Sequence, residues 1–126
     1  MPINCDDLLG VRYKKDGRTL KGLDCFGLVL EVSRRFGHEL KDFEFIQDSA
    51  TTILHAKTQI ENVPIFLVDK PTKESDIILF KVRSRYENHC GVYLGDGLFI
   101  HCDVFGVHIQ KIDEYPHLIG SVYRWQ

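Results

Sequence analysis

The chain has 126 residues, of which 44% are hydrophobic and 27% charged, and its formal net charge at pH 7 is −2. This length and composition are typical of one globular domain with its own hydrophobic core, which we expect to span residues 1–126. The small net charge provides no general attraction to nucleic acid or an anionic membrane, and no apolar run approaches the ~20 residues of a membrane span.

The N-terminal residues predict how the chain is targeted, and the cysteine spacing predicts the redox state of its thiols. It has no basic stretch followed by an apolar one, so we expect no signal peptide and synthesis in the cytoplasm. No Cys-x-x-Cys pair is present, which favours reduced thiols over a disulfide framework. Residues 5–11 are predicted to form a short helix ending near Gly10. Residues 12–21 are predicted to be a basic loop, either solvated or facing an anionic substrate. The cysteines are Cys5, Cys25, Cys90 and Cys102.

A helix is predicted over residues 25–36, with a cysteine at its first position. Asp24 suits the N-cap, because its side chain can accept from free backbone N–H groups of the first turn. Gly37 suits the C-cap. Cys25 therefore lies at the positive end of the helix dipole, which favours the nucleophilic thiolate. The alternative is a small, buried, apolar cysteine, which fits the helix alone equally well. The apolar stripe at helical spacing is Cys25, Leu28, Val29, Val32 and Phe36.

The rest of the chain is predicted to be mainly strands. Residues 38–60 are ambiguous, and residues 48–60 fit either a second helix or an irregular insert. Strands are expected at residues 63–69, 77–80, about 106–111 and 119–125, in addition to a hairpin over residues 89–104. The predicted fold class is therefore α+β, with N-terminal helices packed on an antiparallel sheet of about five or six strands.

Residues 89–104 alternate strictly between two sets of side chains, which indicates strands with one face on the core. A three-residue loop with Gly97 left-handed would pair Leu94 with Leu98 and keep all the apolar even-numbered residues on one face. His89 and His101 would then share the other face with Asp103. The even set is Cys90, Val92, Leu94, Leu98, Ile100, Cys102 and Val104.

Packing the start of the cysteine helix against this hairpin would assemble a nucleophilic centre. A nucleophilic cysteine needs a base, and the base needs a group that orients it. We assign Cys25 as the nucleophile, His89 as the base and His101 as the orienting group. Asp103 is the alternative orienting residue, because the chosen register places it opposite His89.

A zinc site is the rival interpretation of the same hairpin. His89, Cys90, His101 and Cys102 have suitable ligand types, but neighbouring strand residues point to opposite faces and cannot converge without a bulge. We therefore predict no metal or other cofactor, and interpret Cys90 and Cys102 as small core residues. The remaining histidines have no identifiable convergent partner and are expected at the surface or in packing positions. They are His38, His55, His108 and His117.

Five segments in order resemble motifs of the NlpC/p60 family of papain-like cell-wall cysteine peptidases. Residues 9–13 place a tyrosine ahead of the cysteine, as that family does. Residues 22–29 resemble its Asp-Cys-Ser-Gly-Leu-Val signature, and residues 75–80 resemble its Gly-Asp-Leu-Val-Phe-Phe strand. Residues 89–97 and 99–101 resemble its His-Val-Gly-Ile-Tyr hairpin and the Phe-Ile-His that follows. Gly106, Val107 and the ending at residues 122–124 also fit.

The resemblance implies a papain-like core and a cysteine endopeptidase acting on peptidoglycan stem peptides, most often at the D-γ-glutamyl–diamino-acid bond. Carried over by position, Cys25, His89 and His101 are the catalytic residues. Tyr13 would line the cleft and help to stabilise the oxyanion beside the Cys25 N–H. Asp24 would face the free amine of the substrate, in competition with its N-cap role. Permuted relatives, in which the histidine precedes the cysteine, are disfavoured by this order.

The chain departs from the family pattern at several positions, and one of these departures resembles a particular branch of the family. Phe26 replaces the usual serine after the nucleophile and resembles bacteriophage tail-tip proteins, and Ser75 replaces a glycine in the strand motif. The paired glycines that usually follow the tyrosine are absent. The expected setting is therefore the cell wall, with peptidoglycan peptides as substrate and phage tail proteins as further partners. The alternative function is a structural tail-tip subunit with the same fold and little turnover.

Overall fold

The computed structural model describes residues 3–42, 63–115 and 118–126. A small two-stranded sheet precedes one α-helix, and a six-stranded sheet follows it. The first sheet consists of β1 (Arg18–Thr19) and β2 (Gly22–Leu23), and the helix is α1 (Cys25–Arg35). The large sheet consists of β3 (Ile65–Val68), β4 (Ile77–Phe80), β5 (His89–Gly95), β6 (Leu98–Asp103), β7 (Gly106–Lys111) and β8 (Ile119–Trp125).

The large sheet is antiparallel throughout, in the order β3-β8-β4-β5-β6-β7. Its strands fall where the sequence predicted them, and the α+β class with a sheet of about five or six strands is confirmed. A short 3₁₀ helix, Ile112–Glu114, follows β7. Within the described ranges, no helix is long and apolar enough to cross a membrane. The predicted second helix at residues 48–60 lies outside the described residues.

Two N-terminal expectations were wrong. Residues 5–11 form successive turns instead of a helix, with Leu8 N–H donating to the carbonyl of Cys5 and Leu9 N–H to that of Asp6. Gly10 then takes a φ of +84° and donates to the carbonyl of Val107, which ties the segment to β7 before a helix can propagate. The predicted basic loop contains β1, which pairs with β2 just ahead of the helix.

The helix α1 covers one face of the sheet, packing mainly on β5 and β6. The predicted even-numbered residues meet it: Cys90, Val92, Ile100 and Cys102 are all buried in one cluster with the apolar stripe of α1. Val104 was expected in this core, but it lies in the turn between β6 and β7 and is 75% exposed.

The opposite face of the sheet is also apolar over part of its area. Phe80, Tyr93 and Phe99 form a second buried cluster, against which Tyr115 and Leu118 pack. The alternating pattern correctly assigned the α1 face, but the chain that follows β7 folds back over the other face. The two hairpin histidines therefore lie in a buried setting, next to aromatic rings.

The β5–β6 turn differs from the predicted three-residue loop. Gly95 pairs with Leu98 across a two-residue turn, and the register shifts between Tyr93 and Gly95. Asp96 and Gly97 both have positive φ, as a type I′ turn requires. The shift inserts Leu94 as an extra residue, so the predicted pairing is restored beyond it. A β-bulge thus reconciles a favourable short turn with the burial pattern.

Candidate active site

The first turn of α1 holds Cys25 at the centre of the candidate site. As predicted, Asp24 is the N-cap, and its Oδ1 accepts from Gly27 N–H at 2.6 Å. Cys25 is 1% exposed, with its backbone N–H at the start of the helix. The helix start favours negative charge there, both on the sulfur and on an oxyanion beside that N–H.

Asp24 is bound to Arg18 as well as to the helix. Oδ1 accepts from the Arg18 guanidinium at 2.8 Å, and the carboxylate is buried at 4% exposure. The guanidinium also contacts Asp42, whose side chain is exposed. These bonds identify the N-cap role directly, while a contact of Asp24 with a substrate amine stays a prediction from the resemblance.

Replacing Asp24 with alanine is expected to lower the free energy of unfolding by about 1–2 kcal/mol, because the cap of α1 is lost. Asp24→Asn should lose less, since asparagine is an equally good N-cap. Asp42→Ala removes a second carboxylate partner of Arg18 and should change stability by less than about 0.5 kcal/mol. Urea unfolding at pH 7 measures all three. Equal losses for Asp24→Ala and Asp42→Ala would show that the cap is not what matters.

His89 lies at the first position of β5, within hydrogen-bonding reach of Cys25. The loop before it is fixed by Asn88, whose side chain bonds the backbone N–H and carbonyl of Val82 at 2.8 Å each. Phe80, opposite His89 in the β4–β5 ladder, packs its ring at 5.7 Å between centroids. The loop before His89 thus fixes its backbone, and Phe80 packs against its ring, which lies beside the sulfur of Cys25.

A hydrogen-bonded chain runs from His89 away from the cysteine. His89 Nε2 lies 2.8 Å from His101 Nδ1, and His101 Nε2 lies 2.5 Å from Gln110 Oε1. With Gln110 Oε1 as the acceptor, His101 carries its proton on Nε2, and its Nδ1 accepts from His89 Nε2–H. His89 Nδ1 is then left with a lone pair for Cys25. Gln110 therefore sets the tautomer that a base toward Cys25 requires.

The surroundings of Cys25 stabilise its thiolate. A hydrogen bond from the Cys90 thiol and the nearby His89 imidazole lower the pKa of Cys25, and they outweigh burial, which alone would raise it. Burial, and next the bond to Cys25, raise the pKa of Cys90, so Cys25 is the cysteine of the pair that ionises. Burial, followed by the charge of His89, lowers the pKa of His101 to about 4, so His101 is neutral at pH 7.

An open groove of about 640 Å³ runs past this centre, and its walls include His89, His101 and Tyr13. Tyr13 bridges to Leu23 two residues before Cys25, which fixes its position beside the helix start. Burial, and then the nearby charge of Cys25, raise the pKa of the Tyr13 phenol, so it remains a neutral hydrogen-bond donor. Phe105, 89% exposed, also lines the groove.

Asp103 does not take the alternative orienting position. Its Oδ1 accepts from Phe105 N–H at 2.8 Å, and its Oδ2 lies 3.5 Å from His108 Nε2. The contact to His89 is made by His101 instead. His108 was expected to lack convergent partners, and this was wrong: β7 pairs it directly opposite His101. His38 does take a packing position, stacked on Trp125 with ring centroids 4.5 Å apart.

The zinc set suggested by spacing is not assembled. Among the described residues, the one group with metal-ligand spacing is His101, Asp103 and His108, without Cys90 or Cys102. The thiol of Cys102 instead donates to the carbonyl of Leu23 at 3.1 Å. All four cysteines are free, as predicted.

Two contributors to the site were missed from the sequence. The sequence predicts only a core position for Cys90, yet it contacts Cys25 because the helix start lies beside the first residues of β5. The signal for Gln110 is strand parity: pairing Phe99 with Gln110 places Gln110 on the same face as His101.

Comparison with known proteins gives consistent matches. A family model described as NlpC/P60 family matches residues 10–118. The chain is 31% identical over 110 residues to "Murein DD-endopeptidase MepS/Murein LD-carboxypeptidase" of Escherichia coli K12, covering 86% of this chain and 51% of that protein. It is 30% identical over 111 residues to "Probable endopeptidase NlpC homolog" of Haemophilus influenzae, again covering 86% and 51%. The chain thus spans about half the length of these curated relatives.

Solved structures show the same fold. NlpC2 from Trichomonas vaginalis superposes with a TM-score of 0.67 at 23% identity, over 94% of this chain and 43% of that one. The NlpC/p60 domain of the peptidoglycan hydrolase SagA gives a TM-score of 0.60 at 18% identity, over 91% of this chain and 87% of that one. At these identities the structural matches establish the architecture.

Proposed function

The chain belongs to the NlpC/P60 family, and on that basis we propose that residues 1–126 act as a cysteine endopeptidase on peptidoglycan stem peptides. The observation that carries the proposal is the chain of contacts from Cys25 through His89 and His101 to Gln110. It contains a nucleophile, a base and a group that orients the base, which together are what covalent peptide hydrolysis needs.

In the proposed mechanism, Cys25 Sγ attacks the carbonyl carbon of the scissile bond. His89 takes the thiol proton, and the tetrahedral oxyanion is stabilised by the Cys25 N–H with Tyr13 as a second donor. Collapse breaks the carbon–nitrogen bond, and His89 gives its proton to the leaving amine. A water, deprotonated by His89, then attacks the thioester and releases Cys25. His101 keeps the imidazole of His89 oriented through both steps.

For the substrate, we propose the peptides of peptidoglycan, because the relative from E. coli is named a murein endopeptidase and carboxypeptidase. The bond implied by the resemblance is the one between D-γ-glutamate and the diamino acid. The groove beside His89 and Tyr13 is open, and its volume of about 640 Å³ is within the usual range of ligand sites.

The test is digestion of purified muropeptides, with the products identified by mass spectrometry. Cleavage is expected at the D-γ-glutamyl–diamino-acid bond. Cleavage only between D-alanine and the diamino acid, or only at the terminal D-alanine, would keep the peptidase and replace the proposed bond. Complete absence of cleavage together with an unreactive Cys25 would refute the peptidase assignment.

The structural tail-tip role remains the second candidate, because it rests on Phe26 rather than on the site. Phe26 is 5% exposed in the core, with the Arg18 guanidinium 5.5 Å from its ring centroid, so the aromatic has a packing role of its own. Alkylation separates the two candidates. A catalytic Cys25 should react with iodoacetamide near pH 7 far faster than Cys90 or Cys102, whereas a structural module requires no such difference.

A further inference from the structure

Strands β6 and β7 carry a cluster of polar side chains next to His89. Two members of this cluster, Asp103 and His108, have no role in the proposed reaction. His101 and Asp103 lie on β6, and His108 and Gln110 lie on β7. The pairing of His101 with His108 and of Asp103 with Gly106 places them on one face. Among the described residues, His101, Asp103 and His108 alone offer ligand atoms that all lie within 4.8 Å of one another.

The two imidazoles of this cluster converge. His101 Nε2 and His108 Nε2 both point at Gln110 Oε1, at 2.5 Å and 2.9 Å. Asp103 Oδ2 lies 3.5 Å from His108 Nε2, on the same side. These three atoms, two ring nitrogens and one carboxylate oxygen, are suitable metal ligands. A single cation could bind all of them after a small movement of Gln110.

Contacts to the other ring nitrogens hold both imidazoles in place. His108 Nδ1 lies 3.0 Å from the carbonyl oxygen of Gly106, which turns Nε2 into the cluster. His101 Nδ1 is held by His89 at 2.8 Å. Such contacts to the second ring nitrogen fix the orientation of both rings before a metal arrives, so that metal binding has to change only the tautomer of His101 and the position of Gln110.

We propose that His101, Asp103 and His108 form a binding site for a divalent transition metal of the zinc class. Two imidazole nitrogens and one carboxylate oxygen suit Zn²⁺, which favours such mixed sets with a fourth position for water or another oxygen. His101 is buried, but the side chains of His108 and Asp103 are 33% and 34% exposed, so an ion can enter from the surface. Gln110 Oε1 is placed to supply the fourth oxygen.

Occupancy of this site would act on Cys25, and this part rests on the proposed function. With Nε2 of His101 bound to metal, the proton of the ring moves to Nδ1, which then donates to His89 instead of accepting from it. His89 must accept at Nε2 and present an N–H, in place of a lone pair, toward the Cys25 thiol. His89 can then no longer accept the proton of the Cys25 thiol, so the metal inhibits the enzyme.

Metal binding is tested on the full chain carrying Cys25→Ala, which removes the catalytic sulfur as a ligand. Titration with Co²⁺, followed by its visible absorbance, and competition with Zn²⁺ should give one site per chain. Adding His108→Gln should weaken binding at least about tenfold. Asp103→Asn is a second variant, since asparagine can still accept from Phe105 N–H. Absence of binding to Cys25→Ala, or equal binding after His108→Gln, would overturn the proposal.

Inhibition is tested by iodoacetamide alkylation of Cys25 with and without Zn²⁺, each protein being compared with its own metal-free rate. At a Zn²⁺ concentration that just saturates the wild-type site, the wild type should slow at least about tenfold. His108→Gln binds the ion more weakly and should slow far less at that concentration. Equal slowing in both would mean that Zn²⁺ binds the catalytic sulfur directly, which contradicts the switch. A slow metal-free rate would instead count against the peptidase, leaving the Co²⁺ result to decide the metal site.

Discussion

Cys25→Ala is expected to lower kcat/KM on muropeptides by at least about a thousandfold, because it removes the atom that forms the acyl-enzyme. The fold should survive, since Asp24 still caps α1 and alanine occupies less of the same buried space. Product release from a defined muropeptide, measured by chromatography, gives the rate. Thermal unfolding of the same samples separates lost chemistry from lost structure.

Cys5→Ala is the matched control for this variant. Cys5 is also a free, buried cysteine, 7% exposed in the same apolar cluster, but it packs near Asp7 and Arg35 at the opposite end of α1. We expect its kcat/KM to stay within about twofold of the wild type, since substitutions that leave the reacting groups untouched change little of the transition-state stabilisation. Turnover by Cys25→Ala at the rate of the Cys5 control would exclude Cys25 as the nucleophile.

His89→Gln is expected to reduce kcat/KM by about a hundredfold to ten-thousandfold, the usual contribution of a general base. Its effect on the cysteine should be equally diagnostic. His89 is among the groups that lower the pKa of Cys25, so its loss should raise that pKa. The thiolate, which is the form that reacts, should then appear only at higher pH. The alkylation rate of Cys25, measured from pH 5 to pH 9, should therefore rise at a higher pH in the variant than in the wild type.

His38→Gln controls for the general effect of removing a histidine. His38 stacks on Trp125, and burial lowers its pKa. It is not among the groups that shift the pKa of Cys25. This variant should keep the wild-type alkylation profile even if it is somewhat less stable. If His89→Gln also kept that profile, Cys25 would owe its acidity to Cys90 and the helix start alone, and His89 would not be paired with it.

Local patterns in the sequence predicted most of the elements. The N-cap at Asp24, the extent of α1 and the strands of the large sheet follow from hydrogen-bonding capacity and hydrophobic periodicity within short segments. Parity along β5 and β6 placed His89 and His101 on one face, where the structure brings them to 2.8 Å. Such features need only neighbours in the chain or in a hairpin, so residue order determines them.

The sequence failed where distant segments compete for the same groups. Residues 5–11 lose their expected helix because Gly10 bonds to Val107 on β7 instead. The three-residue turn was wrong because a bulge at Leu94 satisfies burial with a shorter turn. Asp103 and His108 belong to different strands, and only the pairing of β6 with β7 shows that they lie together.

By itself, the order of residues determined that a capped cysteine would start a helix and that two histidines would share a hairpin face. Whether that sulfur would meet an imidazole was decided by the packing of α1 on β5 and β6, which brings Cys25 within reach of His89 and Cys90. The tautomer of the base was likewise decided by Gln110 on a third strand. Hydrogen bonds and ionisation depend on distances between side chains, and for residues far apart in the chain only tertiary packing sets those distances.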